Sequence, residues 1–158
     1  GTPGELLVRG FAVMKGYLDD PAATAEAIDV DGWLHTGDIG TIDEQGYLRI
    51  TDRKKDMFIS NGFNVYPAEV ENLFLNHPAT GMAAVVGVPD DRAGEAGCAF
   101  VTIRPGASAT EEELRQWARA NMANYKVPRS VKIVPDLPRN AAGKILKTAL
   151  RGEDQATS

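Results

Sequence analysis

The sequence predicts an α+β fold: a compact unit of short strands packed by helices, preceded by a β-rich segment. Three observations carry that expectation. Ahead of Arg53 the apolar residues fall in short strand-like runs between glycine turns, with no helix long enough to cover a sheet. Beyond Lys54 two amphipathic helical patterns alternate with three apolar runs of strand length. The texture changes inside the charged stretch Asp52-Arg53-Lys54-Lys55-Asp56, so two domains are expected, 1–53 and 54–158.

Gly1-Thr2-Pro3-Gly4 reads as a turn leading straight into a strand over 5–9, and without an initiator methionine the chain is expected to be part of a longer protein. Residues 11–14 are expected to extend that strand past Gly10. Asp20-Pro21 supplies the cap and first-turn proline of a short helix ending near Ile28. Residues 39–42 and 47–51 flank Asp43-Glu44-Gln45-Gly46, which predicts a hairpin with glycine at a positive φ. Residues 57–60 form a short strand ending in a tight turn at Asn61-Gly62. Pro67 opens a helix to about Asn76, with Val70, Leu73 and Phe74 on one face. A strand over 80–88 is stopped by Pro89, and one over 96–104 is closed by Arg104-Pro105-Gly106. Thr110-Glu111-Glu112-Glu113 is a capping-box start, and Leu114, Trp117 and Ala118 give its helix an apolar stripe. Residues 131–134 form a third strand, 135–143 a loop and 145–150 a terminal helix, with a polar tail from Gly152 expected to fray.

Composition narrows the function. The chain has 158 residues, 43% hydrophobic and 25% charged, which is ordinary for a globular protein with a real core. A net charge of −5 argues against a nucleic-acid binder. Cys98, the one cysteine, excludes an internal disulfide and reads as a small core residue. His35 and His77 lie too far apart in sequence to suggest a zinc site, so no metal ligand is expected within the chain. No apolar run reaches membrane-spanning length and no signal-peptide pattern opens the chain, so a cytoplasmic setting is expected.

Four places carry candidate chemistry. Lys144, after the flexible Gly143, is expected at the mouth of a helix. A lysine there opposes the helix's own positive end and makes sense where an anion visits; its bland alternative is a solvated surface lysine. Asp38 in Thr36-Gly37-Asp38 is either a turn aspartate or a two-oxygen acceptor suited to a diol. Arg53 is either an ion-pair partner of Asp52 or Asp56, or a fork for hydroxyl and phosphate oxygens. Gly62 lets backbone approach a narrow ligand, and Asn61 tolerates left-handed geometry.

The run from Asp52 through Ser60-Asn61-Gly62-Phe63-Asn64-Val65-Tyr66-Pro67 to Glu71 resembles the hinge and following loop of the adenylate-forming enzymes, in particular the acyl-CoA synthetases. Pro138-Arg139-Asn140-Ala141-Ala142-Gly143-Lys144 resembles that family's C-terminal lysine motif, and Trp33-Leu34 ahead of Thr36-Gly37-Asp38 its ribose-binding segment.

The resemblance implies that Lys144 bridges the acid's carboxylate and the α-phosphate of ATP while an acyl adenylate forms. It implies that Asp38 binds the ribose, Arg53 the nucleotide, and that Lys55 is the hinge of a mobile C-terminal domain. Ser60, Asn61, Gly62 and Phe63 would line the pantetheine tunnel of CoA. The family's phosphate-binding loop and its aromatic-Gly-x-Thr-Glu segment are absent from these residues. Mg2+ ligands and the acid pocket are therefore expected in the N-terminal domain of the same enzyme, of which 1–53 would be the β-rich end. Lys144 also has the spacing from Pro138 that protein acetyltransferases recognise in such ligases. An adenylation domain serving a carrier protein and a non-catalytic binding module are the alternatives; Lys55 and the Asn61–Glu69 run fit free-CoA ligases better.

Overall fold

The computed structural model describes residues 1–155, with side chains through Arg151. The chain divides into two compact units between Lys55 and Asp56, two residues beyond the expected boundary.

The first unit is a three-stranded antiparallel sheet, ordered β1 (Gly4–Val8), β2 (Leu34–Ile42), β3 (Leu48–Arg53), with one short helix, α1 (Pro21–Ala27). The Asp20 carboxylate caps α1 by accepting from Ala23 N at 2.9 Å, and Pro21 follows at the first helical position. The hairpin turns where predicted: Gly46 has φ 86, and Asp43 Oδ1 accepts from Gln45 N and Tyr47 N. One expectation fails and one alternative closes. Residues 11–14 do not extend β1, because Gly10 turns the chain and Val13 N bonds back to Gly10 O. Asp38 lies within β2 rather than in a turn, since that strand begins at Leu34.

The second unit has a five-stranded sheet. Strands β4 (Phe58–Ser60), β5 (Phe63–Val65), β6 (Thr80–Asp90) and β7 (Gly94–Ile103) run in the order β5-β4-β7-β6, and β8 (Ser130–Ile133) pairs parallel with β7. Strand β5 was invisible in the sequence as a separate element: Asn61 (φ 51) and Gly62 (φ 80) make a two-residue turn of left-handed geometry, which folds 63–65 back onto β4. Pro89 does not stop β6. The strand is an edge, where a missing N–H costs no ladder bond.

Alternation along β6 and β7 divides the core into two layers on opposite faces. On one, Ala83, Val85, Ala99 and Val101 pack with Phe58, Val65 and two helices, α2 (Pro67–Leu75) through Val70 and Phe74, and α3 (Glu111–Asn121) through Leu114 and Ala118. On the other, Ala84, Val86, Cys98 and Phe100 pack with Leu137 and with Leu150 of α4 (Lys147–Gln155). Cys98 is fully buried in this layer, as a core residue. Gly87 and Gly97 face each other across β6 and β7 and leave a slot for Phe58. A Cβ on Gly87 would collide with the Phe58 side chain, and one on Gly97 would stand 3.2 Å from its Cζ. The terminal helix starts at Lys147, two residues later than expected, and runs on to Gln155 where fraying was expected from Gly152; residues 156–158 lie outside the described part.

Candidate functional site

In the first unit β2 and β3 bring Asp38 and Arg53 into register. Arg53 Nε donates to Asp38 Oδ1 at 2.7 Å. Asp52 Oδ1 accepts from the Arg53 backbone N–H. Thr36 builds the triplet, its Oγ1 donating to Leu6 O and accepting from Asp38 N. Next door, Glu5 Oε2 accepts from Lys54 Nζ at 2.7 Å and lies 3.4 Å from His35 Nδ1. The Lys54 bond holds the Glu5 carboxyl below the usual glutamate range, against a smaller opposing effect of burial. Lys54 N also bonds Gly37 O, so the ladder continues to the last turn before Lys55, which is exposed.

In the second unit Ser60, Asn61, Gly62 and Phe63 form the β4–β5 turn. Ser60 is buried, and Asn61 Nδ2 donates to its Oγ at 3.4 Å. Phe63 is half exposed and stacks on Tyr125, ring centroids 4.7 Å apart. Tyr125 belongs to a short 3₁₀ turn, Asn124–Lys126, whose Lys126 donates to Glu69 Oε1. Burial is the largest single influence on Lys126 and works against its charge, but the Glu69 bond and charge, together with Tyr125, outweigh it and raise the ammonium above the ordinary lysine value. Sequence reasoning missed Tyr125, because nothing local marks an aromatic in a three-residue turn as the partner of Phe63.

Lys144 is exposed and lies three residues before the first residue of α4, not at a helix mouth. The physical reason is Asn140. Its Oδ1 accepts from Ala142 N at 3.0 Å and Lys144 N at 2.9 Å, while Asn140 N donates to Lys144 O at 2.9 Å. These bonds close a turn, with Gly143 at φ 80, that helical geometry would break. The lysine is thus held by a capped loop rather than aimed along a helix dipole.

The two candidate loops of the second unit are rooted in opposite layers. The strands carrying the 60–63 turn bury Phe58 and Val65 in one. The Lys144 turn is flanked by Leu137 and Leu150 in the other. Among the described residues no three His, Cys, Asp or Glu side chains group as a metal site, and no helix is long and apolar enough to cross a membrane.

A β unit ending in an Asp–Arg pair is followed by an α+β unit with a loop-borne lysine, and comparison with known proteins gives the family. Residues 69–144 match the family described as the AMP-binding enzyme C-terminal domain. The chain belongs to the adenylate-forming superfamily. It is 56% identical over 153 residues to a 7a-methyl-1,5-dioxo-octahydro-1H-inden-4-yl propanoyl:CoA ligase of Rhodococcus jostii, covering 97% of this chain and 30% of that protein. It is 50% identical to a long-chain-fatty-acid–CoA ligase of Escherichia coli O157:H7, covering 97% of this chain and 27% of that one. The solved structure of ATP-bound MatB from Rhodopseudomonas palustris superposes with a TM-score of 0.91 at 40% identity, over 97% of this chain and 30% of that one. The chain therefore spans about 30% of the length of such relatives.

Proposed function

We propose that this chain is the C-terminal part of an AMP-forming acid–CoA ligase, which couples a carboxylic acid to CoA through an acyl adenylate at the expense of ATP. The observation that carries the reading is the placement of the two candidate loops. A lysine for adenylation and a glycine turn for the thiol are rooted in opposite layers of one sheet. One orientation of the unit presents one loop to a fixed partner, and a turn about Lys55 presents the other.

In this reading Asp38, oriented by Arg53, accepts from the ribose hydroxyls, a carboxylate having room for several donors. Arg53 keeps donors for nucleotide oxygens. Lys144 meets the acid carboxylate and the α-phosphate and balances charge that builds as pyrophosphate leaves. The exposed Gly62 and the Phe63–Tyr125 stack flank the path of pantetheine, where a missing side chain lets a narrow ligand lie against backbone. Mg2+ would be held by the N-terminal part of the enzyme. The exposed Lys144 is also open to a protein acetyltransferase, and acetylation would remove the charge that adenylation requires.

The test is Lys144→Ala in the full-length protein, with the two half-reactions measured separately. Adenylate formation is expected to fall by about two to three orders of magnitude, while thioester formation from supplied acyl adenylate persists. A normal adenylation rate in the variant refutes the assignment. A panel of fatty, aromatic and steroid-derived acids, read by pyrophosphate release, then identifies the acid.

A further inference from the structure

The turn that carries Lys144 is tied to the sheet by a residue distant in sequence. Glu71, on α2, directs one carboxylate oxygen to two donors: Oε1 accepts from Val85 N at 2.8 Å and from Lys147 Nζ at 2.7 Å. Both side chains are largely removed from solvent, at 18% and 19% exposure. Val85 lies on β6, the edge of the sheet order, where an outward N–H has no strand to bond. Lys147 is the first residue of α4, three positions after Lys144.

Everything between Lys147 and the lysine is closed by hydrogen bonds. Leu146 N donates to Pro138 O at 2.8 Å, Arg139 and Ile145 form an isolated bridge, and Asn140 locks the turn itself. On the other stem Arg139 donates to Met82 Sδ on β6. Such a loop moves as a body, so its height above the sheet is set by its stems. Leu137 and Leu150 supply non-directional burial there. The Glu71 oxygen adds a directional link between the sheet edge and the start of α4.

We infer that Glu71 is a positioning residue for Lys144, acting through Lys147 to fix the lysine's turn against β6. The inference rests on the reading of Lys144 given above. A half-buried ion pair is often no more stabilising than an apolar pair in its place, and in some proteins such a pair serves to fix geometry. Displacing a reacting group by about 1 Å costs on the order of a hundredfold in rate.

Glu71→Gln is the discriminating variant, because its amide oxygen still accepts from Val85 while the ionic link to Lys147 is lost. In the full-length protein, Glu71→Gln and Lys147→Met are each expected to lower the adenylation kcat about ten- to a hundredfold. Thioester formation from supplied acyl adenylate stays unchanged. Lys147→Arg, which keeps the pair, restores most of the rate, and the Glu71→Gln/Lys147→Met double variant is no worse than either single one. In the 158-residue chain, hydrogen exchange at Leu146 should quicken in Glu71→Gln while Phe100 in β7 stays protected. Normal adenylation in Glu71→Gln beside a dead Lys144→Ala overturns this inference alone. Equal loss of both half-reactions, or global loss of protection, makes Glu71 merely structural and overturns it too. Normal adenylation in Lys144→Ala overturns the reading of Lys144 itself.

Discussion

Arg53 Nε sits 2.7 Å from Asp38 Oδ1 across the β2–β3 ladder, so two residues singled out separately in the sequence are each other's partner. The pair fixes the carboxylate's orientation before any ligand arrives. Arg53→Ala in the full-length protein should therefore weaken ATP binding twice over, by removing donors and by freeing Asp38. The expected loss is about ten- to a hundredfold in affinity, the range of one or two hydrogen bonds to charged groups. Titration calorimetry with ATP measures it, and unchanged affinity rules out a nucleotide role for the pair.

Lys55 is exposed and follows the last ladder bond, from Lys54 N to Gly37 O. Lys55→Pro holds φ near about −65° and restricts Lys54 as well. On the proposed turn about Lys55, adenylation should survive while thioester formation is hampered, because one of the two proposed orientations becomes hard to reach. Equal loss in both half-reactions would point to misfolding instead.

The slot that receives Phe58 is built from Gly87 and Gly97. Gly87→Ala should cost about 1–3 kcal/mol by overpacking, read as a lower urea midpoint of the 158-residue chain. Adding Phe58→Leu should recover part of that loss. Two variants with additive costs would show that the slot is not shared.

How much of this was legible follows from how local each cause is. Caps and turns were readable: Asp20-Pro21, Asp43 to Gly46, Asn61-Gly62 and the Thr110 box depend on residues a few positions apart, and each stands where expected. The start of α4 was misread because Asn140 competes for the same backbone amides, and propensity alone does not decide between a capped turn and a helix. Strand β5 was lost because three residues carry too little pattern to separate from a loop. The Asp38–Arg53, Phe63–Tyr125 and Glu71–Lys147 contacts join distant positions, and only the fold brings them together.

The capping box of α3 makes a pH prediction. Thr110 N–H, followed by its hydroxyl, bonds the Glu113 carboxylate and lowers its pKa. A depressed folded pKa means the contribution is present above the ordinary glutamate value and is lost as pH falls through the folded one. Glu113→Gln should thus match the parent chain's urea midpoint more closely at acid pH than at neutral pH. Thr110→Ala should cost about 1 kcal/mol at neutral pH. A Glu113→Gln deficit that does not shrink on acidification would disprove the link.

Burial is unevenly shared between the two units. In the first, Ile39 is the one hydrophobic residue among the core side chains, while Phe11, Leu18 and Val30 are almost wholly exposed. In the second, two layers enclose Phe58, Phe74, Phe100, Leu114, Leu137 and Leu150. Local stability follows buried apolar contact, so amide exchange in the 158-residue chain should be slowest in β6 and β7 and fast in β1 to β3. The same β1 to β3 amides should gain protection in the full-length protein, where the proposed N-terminal part covers their open sheet. Catalysis needs both halves of the site around the reactants, so the isolated chain should release no AMP from ATP, acid and CoA. Equal protection of both units in a dilute monomer, or AMP release by the 158 residues alone, would show that the first unit is complete without that cover.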